Sequence, residues 1–314
     1  MDYVMLNCPK CKRELPIPSD LKECICMYCG EHFSIEERAS LEEVPVETPE
    51  MKESYLVAFN RVDELISDYD KLLPRFTREG YPTSFEEYIR LGESILLPIN
   101  QYARLQKELW DQILGEISGK LMTAIEKNIT ANKGIITKNS KAVLIDQHRF
   151  FLAVYLIPML GNLKLELSDV LADRIMEDWK KRYPKSEYKK ATYEELAVGF
   201  MRKGFCFITT AVCDTFHKPE DCYELTRFRE FRDSYLMSSE EGSRLVEEYY
   251  FVAPRIVTYL NMQPDSEDRY RKIWEKYLRP CLEDIERGHN QRCTKRYVRM
   301  VRELNSELPF ACHV

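Results

Sequence analysis

The sequence predicts a mainly α-helical protein preceded by a small β module. Three observations lead to this prediction: cysteine pairs close to the start, apolar residues that recur every three or four positions from about residue 54, and only 11 glycines in 314 residues. Low glycine content suits helices, which need few special backbone turns. The sequence also contains neither of the glycine-rich patterns G-x-G-x-x-G and G-x-x-x-x-G-K-[ST]. This argues against the common phosphate-binding loops.

Two cysteine pairs define the β module over residues 1–35. They are Cys8-Pro9-Lys10-Cys11 and Cys26-Met27-Tyr28-Cys29. Each C-x-x-C pair can form a tight knuckle, and four thiolates together suit a tetrahedral, redox-inactive zinc ion. Prolines at positions 16 and 18 disfavour a helix between the pairs. We therefore predict a zinc ribbon of two short hairpins, with one zinc per chain bound by Cys8, Cys11, Cys26 and Cys29.

The ribbon also contains a fifth thiol, Cys24, which lacks the knuckle spacing. A segment this short cannot build an adequate core, so the metal would supply folding free energy. Residues 1–35 carry a net charge of −1, whereas nucleic-acid binders present a basic surface. The sequence favours a structural or protein-docking ribbon over one that binds nucleic acid.

An acidic segment follows over residues 36–53. It holds seven glutamates against Arg38 and Lys52, with Pro45 and Pro49 inside it. This composition predicts an extended, solvated linker, and an acidic docking segment is the alternative. Because the linker carries most of the acidity, residues 54–314 have no net charge.

Residues 54–190 are predicted to form a bundle of about four or five helices. Apolar residues from Tyr55 to Leu73 share one helical face, which predicts a helix of about five turns ending at Pro74. The segment Ala142 to Leu160 is apolar on most sides and predicts a central buried helix. Further expected features are a capping box at Ser84–Glu87, a kink or division at Pro98, and a helix from Ser168 to just before Pro184.

The apolar segments and the chain start indicate a cytoplasmic protein without a membrane partner. The longest apolar run, Phe150 to Gly161, is shorter than the roughly 20 residues that cross a bilayer. The first residues, Met1 to Leu6, lack the basic start of a secretory signal. In the cytoplasm, cysteines are expected to be thiols or ligands rather than disulfides.

Residues 191–314 carry a distinctive set of motifs. A capping box at Thr192–Glu195 leads into Cys206-Phe207-Ile208-Thr209-Thr210-Ala211, followed by Phe231-Arg232-Asp233 and then by Tyr249-Tyr250 with Ala253-Pro254. Over about 200–305 this region resembles the CFI-box C-terminal domain, which occurs in many bacterial proteins behind unrelated N-terminal modules. The whole chain resembles a group from anaerobic Gram-positive bacteria that pairs a zinc ribbon with this box. The resemblance implies no established chemistry.

A second set of cysteines lies in this region: Cys206, Cys213, Cys222, Cys281 and Cys293. Three interpretations remain open for them, namely buried core thiols, a second metal or iron–sulfur site, and a reactive thiol. Simpler CFI-box sequences continue with Ala-Tyr-Gly where this chain has Val212-Cys213-Asp214. His217 lies four residues after Cys213, which is one helical turn. Among the residues of this chain, Cys206, Cys213 and His217 are therefore the catalytic candidates.

Two basic groups are candidate anion contacts. Arg232 and Asp233 are expected to form an ion pair, and the alternative is anion binding by Arg227, Arg229 and Arg232. The last predicted helix has a basic face, which is either solvated or docked on an anionic partner. Its members are Arg292, Lys295, Arg296, Arg299 and Arg302.

Three functional hypotheses follow. The leading one is a cytosolic zinc-binding scaffold or protein-interaction protein with no evident catalysis, whose partner is another protein. The second is a thiol- or metal-dependent enzyme or redox sensor centred on Cys206, Cys213 and Cys222. The third is a nucleic-acid-associated protein that uses the ribbon and the basic C-terminal helix.

Overall fold

Helices make up 74% of the protein and strands 5% in the computed structural model, which confirms the mainly α prediction. The structure describes residues 3–11, 13–18, 21–34, 47–131, 138–201 and 206–309. The chain divides into two compact units, Met1–Lys52 and Glu53–Val314.

Two antiparallel hairpins form the first unit. Strand β1 (Tyr3–Asn7) pairs with β2 (Glu14–Pro18), and β3 (Glu23–Ile25) pairs with β4 (His32–Ser34). Alternate side chains of β2 point inward, as a strand requires. The small core of this unit consists of Cys8, Leu15, Ile17, Cys26 and Phe33. The predicted pair of short hairpins is therefore present.

The helical part begins earlier than the sequence pattern predicts. Helix α1 (Pro49–Asn60) starts inside the acidic segment, while residues 36–46 of that segment lie outside the described residues. The Thr48 hydroxyl accepts a hydrogen bond from the Met51 N–H at 3.2 Å, as a helix N-cap does. Pro49 follows the cap, where proline is favoured because no N–H is needed.

The remaining helices follow in chain order. They are α2 (Glu64–Ser67), α3 (Tyr69–Leu72), α4 (Gly80–Leu105), α5 (Trp110–Ala131), α6 (Lys138–Phe151), α7 (Ile157–Leu163), α8 (Ser168–Arg182), α9 (Tyr193–Met201), α10 (Phe207–Thr215), α11 (Tyr223–Glu230), α12 (Glu240–Asn261), α13 (Ser266–Ile273), α14 (Arg279–Glu286) and α15 (Asn290–Ser306). Short 3-10 turns lie at Leu73–Arg75, Lys107–Leu109 and Leu236–Ser238. Wider π-helical turns lie at Leu152–Leu156, Phe231–Tyr235 and Trp274–Leu278.

A single apolar core runs through the second unit, from Ala58 to Leu308. Helix α6, the π turn after it and α7 form the predicted central segment, and every residue from His148 to Leu160 is buried. One stretch of the described residues, Ser140–Leu163, is long and apolar enough to cross a membrane, but 72% of its most apolar window is buried inside the protein. It is the central helix of the bundle.

Two predicted features of the bundle are wrong. Tyr55–Leu73 is not one helix but is divided among α1, α2 and α3. Helix α4 begins at Gly80, so Ser84 lies inside it, and the Ser84 hydroxyl donates to the Tyr81 carbonyl instead of capping. Of the kink or division predicted at Pro98, the division does not occur, because Pro98 lies within α4. Packing against neighbouring helices outweighs these local signals.

Two predicted helix starts are confirmed. Helix α8 runs from Ser168 to Arg182, as expected. The capping box before α9 is complete, because the Thr192 N–H donates to the Glu195 carboxylate at 2.9 Å and the Glu195 N–H donates to the Thr192 hydroxyl at 3.2 Å. Residues 202–205, which directly precede the CFI-like motif (Cys206 to Ala211), lie outside the described residues.

Candidate metal centre and C-terminal motif cluster

Four cysteine sulfurs form a compact group in the first unit. The Sγ atoms of Cys8, Cys11, Cys26 and Cys29 all lie within 4.8 Å of one another. Cys8 and Cys29 are 3.5 Å apart, and Cys11 and Cys26 are 3.7 Å apart. Four sulfurs bound at about 2.3 Å around a tetrahedral zinc would lie about 3.8 Å apart. The structure therefore confirms a four-cysteine group that fits a tetrahedral metal ion.

Each cysteine pair is held by the turn of one hairpin. The Cys8 N–H donates to the Arg13 carbonyl at 2.9 Å, and the Cys26 N–H donates to the Glu31 carbonyl at 2.8 Å. The second turn closes through the Gly30 N–H, which donates to the Cys26 carbonyl at 2.9 Å. Gly30 has a φ of +72°, a conformation that glycine adopts without strain. The glycine directly after the second pair therefore lets that turn close.

Backbone hydrogen bonds in both turns stabilise negative charge on the sulfurs and act to lower their pKa values. Burial raises the pKa of Cys8, but backbone hydrogen bonds from Cys11 and Lys10 outweigh it and lower the pKa to about 6. A backbone hydrogen bond from Glu31 lowers the pKa of Cys29, but burial and the neighbouring thiols raise it to about 12. One sulfur thus ionises readily and another does not. A bound cation would stabilise all four as thiolates.

Cys24 lies outside the four-sulfur group. It is part of β3, opposite Phe33. Its thiol donates to the Ile25 carbonyl at 3.5 Å. The C-x-x-C spacing therefore distinguished the four cysteines of the sulfur group from Cys24.

The C-terminal cysteines do not form a comparable group. Cys213 lies next to Cys222, and the Cys281 thiol points to the Cys293 carbonyl at 3.8 Å. Cys206 lies beside Arg232. Across the described part of the chain, the N-terminal four are the one group of three or more histidine, cysteine or acidic residues placed to hold a metal. Within the described residues, these five cysteines therefore lie as two pairs and a single thiol, and four of them are buried, which favours core thiols among the three interpretations.

The proposed Cys213–His217 catalytic pair does not form. Helix α10 ends at Thr215, and His217 is exposed with a left-handed φ of 53°. The two residues therefore do not share a helical face. Burial, together with Cys222, raises the pKa of Cys213 to about 12. Burial also raises the pKa of Cys206, although Arg232 opposes the shift. Neither thiol is activated as a nucleophile.

The three candidate anion-binding arginines have separate partners. Arg227 pairs with Glu230 on α11, and Arg229 donates to the Glu220 carbonyl at 3.0 Å. Arg232 binds Asp233 through Nε at 2.6 Å. The predicted Arg232–Asp233 ion pair is confirmed, and each of the three guanidinium groups is bound by an acceptor of the protein itself.

The CFI-like motif segments meet in space around Arg232. Arg232 Nη1 donates to the Tyr250 hydroxyl at 3.2 Å and approaches Cys206 Sγ at 3.9 Å. The neighbouring Tyr249 hydroxyl accepts a hydrogen bond from the Ile208 N–H at 3.0 Å. Sequence analysis marked these segments but not their contact, because the segments lie on α10, the π turn after α11, and α12. The adjacent Tyr249 and Tyr250 were the sequence feature from which this contact could have been predicted.

The basic face of α15 is partly neutralised by two acidic side chains. Arg292 and Arg296 both bind the buried carboxylate of Asp284, at 2.5 and 3.3 Å. Arg299 pairs with Glu303 at 2.6 Å. The expectation of a solvated face therefore needs modification, because several of its cations belong to ion pairs.

Comparisons with known proteins give no relative: no family model, no curated protein and no solved structure matches the chain. The resemblance to CFI-box proteins stays a prediction from the motifs.

Proposed function

We propose that the protein is a cytoplasmic zinc-binding scaffold whose ribbon docks on another protein and that has no evident catalysis. The single observation that carries this proposal is the four-sulfur group, whose S–S separations suit tetrahedral zinc. Zinc is the proposed ion because it favours four thiolates and adds no redox chemistry. Its role at Cys8, Cys11, Cys26 and Cys29 would be to join the two hairpins.

The side chains around the second knuckle support protein docking. Ile25, Met27 and Tyr28 are 63%, 72% and 51% exposed, although all three are apolar or aromatic. Exposed apolar side chains grouped in this way are typical of protein-interaction surfaces. The slightly acidic ribbon lacks the basic surface that phosphate binding requires. We therefore assign the knuckle surface, defined as Ile25, Met27 and Tyr28, to a protein partner.

Site-specific photo-crosslinking tests this proposal in intact cells. A photo-reactive amino acid replaces Met27 in the full chain, and the matched control carries it at Glu14, an exposed position on β2. We expect a discrete protein adduct from position 27 that is absent from position 14 and is lost with Cys26→Ser. Nucleic acid in the adduct, or the same adducts from both positions, would contradict the proposal.

A further inference from the structure

A positively charged, open cavity lies between the last helix and the π turn Trp274–Leu278 in the second unit. Its volume is about 330 Å³. Apart from Tyr277, every side chain that lines it is cationic: Lys276, Arg292, Lys295, Arg296 and Arg299. The last four recur at intervals of three and one along α15 and share one helical face. The zinc-scaffold function makes no use of this cavity.

A single buried carboxylate holds two of these arginines side by side. Asp284 on α14 is buried, and its two oxygens accept hydrogen bonds from Arg292 Nε at 2.6 Å and from Arg296 Nε at 3.3 Å. The Nη2 atoms also bind this carboxylate, whereas neither Nη1 atom takes part in these bonds. An anion therefore need not displace Asp284 to bind both arginines. One carboxylate between two guanidinium groups also leaves one positive charge uncompensated.

The other three cations share one acidic side chain. Glu303 pairs with Lys276 at 3.0 Å and with Arg299 at 2.6 Å. Lys295 is exposed and has no ion pair within the part of the chain that the structure describes. With Asp284 included, two carboxylates pair with five cations, so three positive charges around the cavity remain uncompensated.

This charge is confined to a short stretch, which favours a compact polyanion over a long strand. Arg292 and Arg299 are separated by about 10 Å along the helix axis. The adjoining cavity beyond Tyr277 is lined by three acidic and three basic side chains, so it has no net charge. On the other side, a cavity of about 540 Å³ shares Arg292 and Lys295, and its other lining residues include no acid. It leaves room for a group attached to the anion.

We propose that the basic cavity binds a chain of linked phosphates, either as free inorganic polyphosphate or as part of a nucleoside polyphosphate. Guanidinium groups bind phosphate oxygens through paired hydrogen bonds, and linked phosphates place several negative charges within the length of this face. Lys295 supplies an unpaired positive charge between Arg292 and Arg299. The site is independent of the four-sulfur group and goes beyond the proposed docking function.

Calorimetry on the full chain at low ionic strength tests the proposal with inorganic tripolyphosphate. We expect a Kd below about 1 mM, and binding at least about tenfold weaker for orthophosphate, which has one phosphate. ATP distinguishes the two sources: tighter binding than tripolyphosphate indicates a nucleoside polyphosphate, and equal or weaker binding indicates the free chain.

A charge reversal at Lys295 tests the location of the site. Lys295→Glu is expected to weaken tripolyphosphate binding at least about tenfold, because it replaces the unpaired cation with an anion. Lys127→Glu is the matched control with the same change in net charge, since Lys127 is exposed on α5 and does not line the cavity. Its affinity should stay within about twofold of the wild type.

Several results would overturn the proposal. One is a tripolyphosphate Kd above about 1 mM, and another is an equal effect of Lys295→Glu and Lys127→Glu. Tighter binding of oligouridylate or of hexaglutamate than of tripolyphosphate would assign the surface to RNA or to an acidic protein segment instead. Because polyphosphates also chelate zinc, Cys26→Ser is measured in parallel and is expected to keep the affinity. Loss of binding in Cys26→Ser would attribute the signal to zinc, so this variant separates the proposal from the zinc-scaffold function.

Discussion

At the scale of single residues, His148 lies in an unusual environment. It is fully buried, and neither ring nitrogen has a hydrogen-bond partner within the described structure. Its ring lies against Tyr69, with the centroids 3.9 Å apart. Burial lowers the pKa of His148 to about 4. The imidazole is therefore neutral in the folded protein at pH 7 and serves as a packing group rather than as a base.

This environment predicts a specific pH dependence of stability. Between pH 6.5 and 4 the unfolded chain protonates His148 and the folded chain does not, so the free energy of unfolding falls as the pH falls through this window. We expect His148→Phe to remove this part of the pH dependence and to raise the free energy of unfolding at pH 7 by about 1 kcal/mol, because no buried nitrogen is left unpaired. Urea unfolding at pH 7 and pH 5 measures both effects.

His217 provides the control for this prediction. It is exposed and has a left-handed φ, which asparagine tolerates. His217→Asn is expected to keep the wild-type pH dependence. A pH slope that is unchanged by His148→Phe would contradict the assignment of a neutral buried imidazole.

Residue spacing predicted the four-sulfur group correctly, but it did not predict the side-chain contacts of the C-terminal region. Cys8, Cys11, Cys26 and Cys29 meet because each pair is local and needs only one turn. The contacts of Arg232 with Tyr250 and Cys206 could not be predicted, because the three residues lie on separate segments of the chain. The Cys213–His217 prediction failed because a helix end cannot be located to within one turn from sequence alone.

At the scale of helices, the central segment contains a proline that its neighbours accommodate. Pro158 follows the π turn Leu152–Leu156 and has no N–H for the Val154 carbonyl four residues earlier. The Tyr81 hydroxyl of α4 donates to that carbonyl at 2.6 Å. One hydrogen bond between helices thus replaces one within the central helix.

Removing this hydroxyl is expected to destabilise the protein. Tyr81→Phe should lower the free energy of unfolding by about 1–3 kcal/mol, because the buried carbonyl loses its donor. The matched control is Tyr223→Phe, whose hydroxyl donates to Glu286 at the exposed surface and should cost less than about 0.5 kcal/mol. Urea unfolding compares the two variants, and equal losses would contradict this account.

A helix-capping box could be predicted from the sequence only where all of its hydrogen-bond partners lie within one turn of the chain. The Thr192–Glu195 capping box formed as predicted, since both partners belong to one turn. Ser84 carries the same pattern, yet it lies inside α4 and hydrogen-bonds with Tyr155 at 2.8 Å, some seventy residues later in the chain. Such a partner cannot be read from a window of a few residues.

At the scale of the whole second unit, a buried polar network joins α6 to the C-terminal end of α12 and to Gln263 shortly after it. Arg149 is 2% exposed and donates to Gln263 Oε1 at 3.2 Å, and it also pairs with Asp146. Tyr259 donates to Asp146 at 2.7 Å. This network crosses the domain boundary that the sequence placed between residues 190 and 191, and the apolar core also continues across it.

The network predicts that residues 53–314 unfold in one step. Arg149→Ala should lower the free energy of unfolding by about 3 kcal/mol, because it leaves Asp146 and Gln263 without their cationic partner. The control is Arg279→Ala, whose pair with Glu275 is exposed and worth less than about 1 kcal/mol. Tryptophan fluorescence and circular dichroism should give the same midpoint, and two separate midpoints would contradict a single unit.

Metal removal should affect only the first unit. That unit has its own small core of five residues, two of which belong to the four-sulfur group, so we expect its folding to depend on a bound ion. A strong chelator is expected to abolish the ribbon signals in NMR spectra while the helical circular dichroism and the urea midpoint of the second unit stay unchanged. Loss of helix on chelation would show that the second unit also depends on metal.

The zinc content of the purified, reduced protein tests the central claim most directly. Elemental analysis should give one zinc per chain in the wild type and in Cys24→Ser, since Cys24 lies outside the sulfur group. Cys26→Ser, two residues away, should lose it, whereas Cys206→Ser and Cys213→Ser should keep it. A wild-type chain without zinc, equal loss in Cys24→Ser and Cys26→Ser, or a second zinc that depends on Cys206 or Cys213 would contradict the account.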